Sequence, residues 1–397
     1  MKKLLILGGD HFAIPVVEAA KKQGYYVITC DYLPDNVAHK YSDEFANFST
    51  TDKEGILAFA RDKEIDGICT FTDSGVVTTA YVQHHLGLPS IGPLESVEIL
   101  QNKDRFRSFL SKHNFNVPQA KGFDSVDSAM SESYWFPWPV IVKPTDSAGS
   151  KGVTRVDRVE DLKSALEYAM NFSASGRVIV EEFIEKDGCS SDSDCFSIDG
   201  RLVVATFSAQ RFDEDAKNPY APSAYTWPST FGEKYEQELK SDIQRLLTLL
   251  GMKTSVYNVE TRIGKDGKAY IMEVSPRGGG NRLSEMVRMS TGADMITSAV
   301  RAAVGDDISL KQNDLDGHWA EIILHSDKTG DFSDLQIVCD YEKYVCERDL
   351  WVKEGDRVEE FIGANKAIGT LVLKFQTAEE LEYAITHQAD WIKVVVK

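Results

Sequence analysis

Residues 255–281 read SVYNVETRIGKDGKAYIMEVSPRGGGN. Two alternating runs flank Asp266-Gly267, and such a pair predicts a hairpin closed by a type I′ turn. That turn sets Glu260 directly opposite Glu273 and Asn258 opposite Ser275. Tyr257, Val259 and Thr261 then share the other, mostly apolar face with Tyr270, Met272 and Val274. Two carboxylates with Cβ atoms about 5 Å apart repel each other unless a cation lies between them. Mg²⁺ suits the position, because it takes one or two carboxylates and completes its octahedron with phosphate oxygens and water. The competing reading leaves both acids in solvent, each paired with Arg262 or a lysine.

Working outward, Arg277 follows Glu273 by four residues and can grip a carboxylate or acyl phosphate with two parallel hydrogen bonds. Gly278 to Gly280 lead into an amphipathic helix starting near Leu283, so their amides are positioned to receive an anion. Upstream, VIVKPTDSAGSKGV (140–153) places Lys143 at the end of a β-branched strand, ahead of a small-residue loop and a second strand. Such a unit can fold over a phosphate chain, and its GSKG order is not that of a P-loop. RVIVEEFIE (177–185) is a further buried strand, whose backbone edge can meet an adenine ring. ESVEILQNKDRFRSFLSKHNFNVP (95–118) forms two short amphipathic helices with Lys103 between them.

The first hundred residues alternate strand signals (KLLILGG, YYVITCDY, FANFST, GICTFTD, LPSIG) with helical ones (IPVVEAAKKQG, KEGILAFARDK), which predicts a parallel sheet covered by helices. The loops at Gly8-Gly9-Asp10, Asp31 and Thr72-Asp73-Ser74 then lie at its carboxyl edge, where such sheets hold ligands. Gly8-Gly9-Asp10 lacks dinucleotide spacing. A chain of 397 residues, 42% apolar, implies several packed units. No apolar run is long enough to span a bilayer, and the start reads as a buried strand. The six cysteines show no metal-binding spacing, which fits a reducing cytosol. A net charge of −18 without a basic block argues against a nucleic-acid partner.

Taken in order, Lys103, the VIVKP strand with DSAGSKG, the VEEFIE edge and the ETRI/MEVSPRGGGN hairpin resemble the ATP-grasp superfamily over about residues 1–305. The resemblance implies an α/β domain with a parallel sheet (1–100), an α+β ATP-grasp clamp (101–305, with a lid at about 115–185) and a small α+β domain (306–397). By the same resemblance Lys103, Lys143, Ser147, Ser150, Lys151 and Gly152 contact ATP phosphates, while Glu181, Glu182, Phe183 and Ile184 line the adenine and ribose hinge. Glu260 and Glu273 hold Mg²⁺, with Mn²⁺ as a substitute. Ser275 joins them where many members carry Asn. Arg277 steadies the transferred group, and Gly278 and Gly279 meet substrate.

The implied chemistry is ATP-dependent ligation of a small carboxylate to an amine through an acyl phosphate. Within SAQRFDEDAKNPYAPSAYTWPSTFGE (208–233), Arg211, Tyr225, Trp227 and Ser229 are candidates for sorting substrates or for packing a loop. A carbamoyl-phosphate-synthase-like or purine-pathway carboxylase, and a non-catalytic nucleotide-binding regulator, stand as alternatives. A homodimer is compatible with each.

Overall fold

The computed structural model describes residues 1–147, 151–213, 218, 221–363 and 366–397. Contacts divide the chain into two compact units, Met1–Asp187 with Ser193–Thr206 and Gly232–Gln312, and Gly188–Asp192 with Phe207–Phe231 and Asn313–Lys397. The segment 207–231, placed by the sequence reading in the 101–305 clamp, clusters instead with the C-terminal unit.

The first unit opens with a parallel sheet of β1 (Lys3–Leu7), β2 (Tyr26–Cys30), β3 (Glu44–Ala46) and β4 (Gly67–Thr70), in the order β3-β2-β1-β4. β1 is an unbroken apolar run because both faces are covered. Leu4 and Ile6 pack towards helices Ile14–Lys22 and Met295–Ala303, whereas Leu5 and Leu7 pack towards helices Lys53–Lys63 and Val76–Leu86. Leu88–Gly92, expected as a fifth strand, is irregular. Its amide at Ile91 bonds Gln83 Oε1 and its carbonyl accepts from Lys253 N–H, so side-chain and loop partners replace a ladder.

β5 (Ala120–Phe123), β6 (Val140–Pro144), β7 (Thr154–Val156) and β8 (Val178–Glu182) form an antiparallel sheet ordered β5-β8-β6-β7, and helix Val159–Met170 buries Leu162, Ala165 and Leu166 against it. β9 (Ser191–Ile198) and β10 (Arg201–Ala205) follow. β11 (Ala209–Phe212) and β12 (Pro222–Trp227) belong to the second unit. β13 (Ser255–Ile263) and β14 (Ala269–Ser275) complete the sheet β10-β9-β13-β14.

The β13–β14 hairpin differs from its expectation in an instructive way. Only Gly267 adopts a positive φ (+76°), and Gly264 pairs with Lys268, leaving a three-residue loop, Lys265-Asp266-Gly267. This is a type I turn with a left-handed glycine rather than type I′. Ile263 consequently faces Ala269, and Thr261 faces Ile271. The ladder then shifts by one residue at Met272, and Glu260 faces Glu273, Val259 faces Val274 and Asn258 faces Ser275. A β-bulge thus restores the carboxylate pairing that the longer loop alone would have offset. Ile271, not Tyr270 or Met272, therefore shares the face of Thr261 and Val259, and Tyr270 faces Arg262.

The second unit contains the sheet β11-β12-β15-β19-β17 and the smaller sheet β18-β16-β20, built with β15 (His318–Leu324), β16 (Gly330–Ile337), β17 (Val345–Leu350), β18 (Arg357–Val358), β19 (Gly369–Phe375) and β20 (Ile392–Val396). Its core joins Ile322, Leu371 and Phe375 to Leu381 of helix Ala378–Thr386, which a Thr377/Glu380 capping box starts.

Candidate active site

Asn102 caps helix Lys103–Lys112 by accepting from Arg105 N–H at 3.0 Å, which presents Lys103 at the helix start. Lys103 Nζ donates to the Ser147 carbonyl at 2.9 Å and lies 3.6 Å from Glu273 Oε2. Lys103, Ser147, Lys151 and Glu273 line one cavity of about 360 Å³ together with Asp73, Gln101, Phe106, Met272 and Phe172. The bulge accounts for Met272, since it turns that side chain to the same side as Glu273. Gly152 has φ +73° close to Pro144, a backbone conformation that favours glycine, and Ser150 lies outside the described residues.

Burial raises the Glu260 carboxyl above its ordinary value; Arg262 pulls it down and Glu273 pushes it further up. The pairing with in-chain cations is present only as long contacts, Arg262 to Glu260 at 3.9 Å and Lys103 to Glu273 at 3.6 Å. Neither distance is a hydrogen bond. Among the described residues neither carboxylate accepts one. Two hard anionic ligands facing each other without donors, beside Lys103 and Lys151, fit Mg²⁺ bridged to phosphate.

Lys143 is read from the sequence as the partner of a nucleotide phosphate, but it has a partner in the chain. Its Nζ lies 2.7 Å from Glu181 Oε2, and Arg107 Nε lies 3.0 Å from Glu181 Oε1. The cause is register: Ile141 faces Glu181 and Lys143 faces Ile179, so lysine and glutamate are diagonal neighbours on one face of the β6–β8 ladder. Glu181 is 2% exposed, and its carboxylate is the counter-ion of Lys143 and Arg107. Burial opposes its charge, yet Arg107 and Lys143 hold its carboxyl down to about 2.

The rest of the expected hinge is also engaged. Glu182 N–H donates to the Gln119 carbonyl and its Oε2 accepts from Gln119 N–H, while Phe183 N–H donates to the Pro139 carbonyl. The Arg155 guanidinium lies 4.3 Å from the Phe183 ring, and the carbonyl of buried Ile184 accepts from Arg262.

Arg277 is clamped by Asp73, which follows β4 at the carboxyl edge of the parallel sheet: Nε to Oδ1 is 2.8 Å and Nη2 to Oδ2 is 2.6 Å. Burial works against ionisation of Asp73, and Arg277 and Ser275 outweigh it, lowering the carboxyl below its usual value. Ser275 shares the face of Glu260 and Glu273, but its hydroxyl donates to Asp73 (3.0 Å) and accepts from Gln101 (2.8 Å). A place in the metal shell has to compete with both bonds.

The glycine loop is likewise occupied. A Cβ on Gly278 would stand 2.2 Å from the Phe71 ring, and Gly279 N–H donates to buried Asp194 at 2.9 Å. Asp194 also accepts from Ser284 Oγ and Asn258 Nδ2, and burial pushes its carboxyl up to about 6. Gly279 therefore serves its own loop rather than presenting an open amide.

Arg211 belongs to the second unit, where it pairs with Glu382 (3.1 Å through Nη1) and donates to Thr226. Tyr225 and Trp227 are buried there, and Ser229 accepts from Phe231 N–H. The sequence reading missed Arg107, Gln101, Asp194 and the role of Asp73. The signals were an acid beside the apolar pair Cys195-Phe196 in SDSDCFSI, a strand that proves buried, and an acid at the ligand edge of the first sheet. A larger cavity, about 540 Å³, is lined by Phe71, Thr79 and Pro276 and contains none of the expected residues.

A parallel α/β domain is followed by antiparallel sheets that carry facing carboxylates and cleft lysines. Residues 136–285 match the ATP-grasp domain family. The matched residues take in Lys143, Lys151, Glu260, Glu273 and Arg277, and a solved structure of the same fold, the biotin carboxylase domain of a Hydrogenobacter thermophilus 2-oxoglutarate carboxylase, holds MgADP (TM-score 0.77, 16% identity). Among relatives, the carbamoyl phosphate synthase large chain of Thermotoga neapolitana is 24% identical over 320 residues, covering 77% of this chain and 28% of that one. The chain thus spans less than a third of the length of the curated relatives it matches. The fold is shared with an L-amino acid ligase from Bacillus licheniformis (TM-score 0.82, 20% identity, 100% and 99% of the two chains). It is also shared with phosphoribosylglycinamide synthetase from Anaerococcus prevotii (TM-score 0.79, 20% identity, both chains covered fully). Among the described residues no helix is long and apolar enough to cross a membrane.

Proposed function

We propose that the chain is an ATP-dependent carboxylate–amine ligase acting on small molecules. The observation that carries this reading is the Glu260–Glu273 pair, opposed, without a hydrogen-bond donor among the described residues and beside the cleft that holds Lys103 and Lys151. Mg²⁺ held by the two glutamates supplies charge neutralisation on the triphosphate. Lys103 and Lys151 orient phosphate oxygens, and Lys143 lends a positive field that Glu181 keeps in place. Arg277, held by Asp73, aims its guanidinium at the carboxylate that receives the γ-phosphoryl group. The amine then attacks the acyl carbon of the resulting acyl phosphate, and phosphate leaves with the bonding pair. Positioning and electrostatics suffice for both steps.

A second reading makes bicarbonate the acid, as in a carbamoyl-phosphate-synthase-like or purine-pathway carboxylase, and the sequence likeness over 77% of the chain favours it. Homodimerisation is part of the proposal, by analogy with the biotin carboxylase domain dimer that has the same fold. The test is phosphate release from MgATP with amino acids, metabolite carboxylates, bicarbonate and amines, singly and in pairs. Release that requires both an acid and an amine supports the ligase, and release that requires bicarbonate supports the second reading. ATP binding without release in any pair makes the chain a non-catalytic nucleotide-binding protein.

A further inference from the structure

Three side chains of the second unit converge at one end of its five-stranded sheet. β11 and β15 both run antiparallel to β12, so they run parallel to each other and end on the same side. Asp213 directly follows β11; His325 directly follows β15, with Asp327 two residues on. One ligand atom from each lies within 4.8 Å of the other two. None of the three belongs to the nucleotide cleft.

His325 is oriented to offer a lone pair. Its Nδ1 lies 2.6 Å from the Ile323 carbonyl, which can only accept, so Nδ1 carries the proton and Nε2 of the neutral ring is the free base. A carbonyl on the far nitrogen is the arrangement that fixes the tautomer and plane of metal-bound imidazoles. The ring also stacks on Phe361, with centroids 4.1 Å apart and planes at 24°, and the side chain is 8% exposed. The turn beyond it is braced, since Phe361 N–H donates to the Ser326 carbonyl at 2.9 Å and Ser326 Oγ to the Lys328 carbonyl at 2.7 Å.

The distance from His325 Nε2 to Asp213 Oδ2, 3.6 Å, discriminates between two arrangements. It is too long for a hydrogen bond. Two ligands bound tetrahedrally at zinc distances stand about 3.4 Å apart, so little movement is needed to seat an ion between them. Asp327 is exposed and can swing in to supply a third ligand.

We propose that Asp213, His325 and Asp327 bind one divalent transition-metal ion, zinc being the best match to a mixed imidazole and carboxylate set. Three protein ligands leave a coordination position for water. Mg²⁺ prefers oxygen-only shells, so this site and the nucleotide cleft differ in the ion they select. The bound ion ties the end of β11 to the turn after β15.

The test uses the full chain, stripped with chelator and titrated with Zn²⁺ by calorimetry in the absence of nucleotide. The titration is done in a Cys339→Ser/Cys346→Ser background, because both thiols are free and exposed and thiolates are zinc ligands. One Zn²⁺ per chain is expected, with affinity weakened at least about 10–100-fold in Asp327→Ala and in His325→Ala. Zn²⁺ is also expected to raise the unfolding temperature of the parent but not of Asp327→Ala, whose side chain is exposed and outside the core. Absence of binding to the parent, or parent-like affinity in a folded Asp327→Ala variant, overturns the proposal.

Discussion

Glu181 is almost fully buried and yet charged, because Arg107 and Lys143 flank it. Replacing it by Gln leaves two cations together without an anion, which is expected to cost about 3–5 kcal/mol. Its pH signature has a definite sign. The folded carboxyl is held to about 2, below its ordinary 4.5, so on acidification the unfolded chain takes up the proton first. The stabilisation from Glu181 is therefore complete above pH 4.5 and is lost as pH falls towards 2, by about 3 kcal/mol in all. Asp194, pushed up to about 6, acts oppositely: stability falls as pH rises from its ordinary value towards 6. The wild-type minus Glu181→Gln difference in urea unfolding isolates the glutamate, and it should shrink by that amount between pH 4.5 and 2. A gap independent of pH would show Glu181 to be protonated in the folded protein. Arg107 was hidden in the sequence because DRFRSFL reads as an amphipathic helix, and helical periodicity does not distinguish a buried arginine from a solvated one. Its burial depends on an acid about seventy positions away.

At the scale of the element, the β13–β14 hairpin was legible in the faces of β13 and in its carboxylate pair, but not in its turn or in the face of residues 270–272. Alternation alone places Glu260 and Glu273 on one side. Asp266-Gly267 signals a reversal without fixing loop length, and nothing in IMEVS marks Met272 as the bulged residue. The two irregularities cancel, so the carboxylates meet by a route the sequence does not display. The glycine loop after β14 is a second such case. Gly278 is read as an open amide for substrate, but a Cβ there would stand 2.2 Å from Phe71, which leads into Asp73. Close approach of the two loops is thus what requires glycine. Gly278→Ala is expected to cost about 1–3 kcal/mol by overpacking. It should also lower turnover, because the displaced segment begins at Arg277. Phe71→Ala makes room for the methyl group, so the double variant should lose less than the two single variants together, by about 0.5–3 kcal/mol. Strict additivity in thermal unfolding would mean that the ring and the glycine do not share the space.

Across the whole molecule, net charge and cleft chemistry pull in opposite directions, and magnesium decides between them. The chain carries −18, and its cleft adds Asp73 and Glu273 to the lysines that would receive a triphosphate. Free ATP therefore brings its own negative charge towards the facing glutamates, whereas MgATP brings the cation that relieves them. Binding to the folded state alone stabilises by about 2.7 kcal/mol at a hundredfold excess over Kd. MgATP should accordingly raise the unfolding temperature in a concentration-dependent way, and ATP with EDTA should raise it much less. Glu273→Gln removes one of the two opposed charges. Its MgATP shift should fall and its ATP-with-EDTA shift should grow, so that the two converge. The same variant leaves Lys103 without its 3.6 Å carboxylate neighbour, which also favours metal-free ATP. Both arms use chelator-stripped protein, because EDTA also removes Zn²⁺ from the second unit and would otherwise add that loss to the difference. Equal shifts with and without magnesium in the wild type, or an undiminished MgATP shift in Glu273→Gln, would place the metal elsewhere and remove the basis for phosphoryl transfer in this cleft.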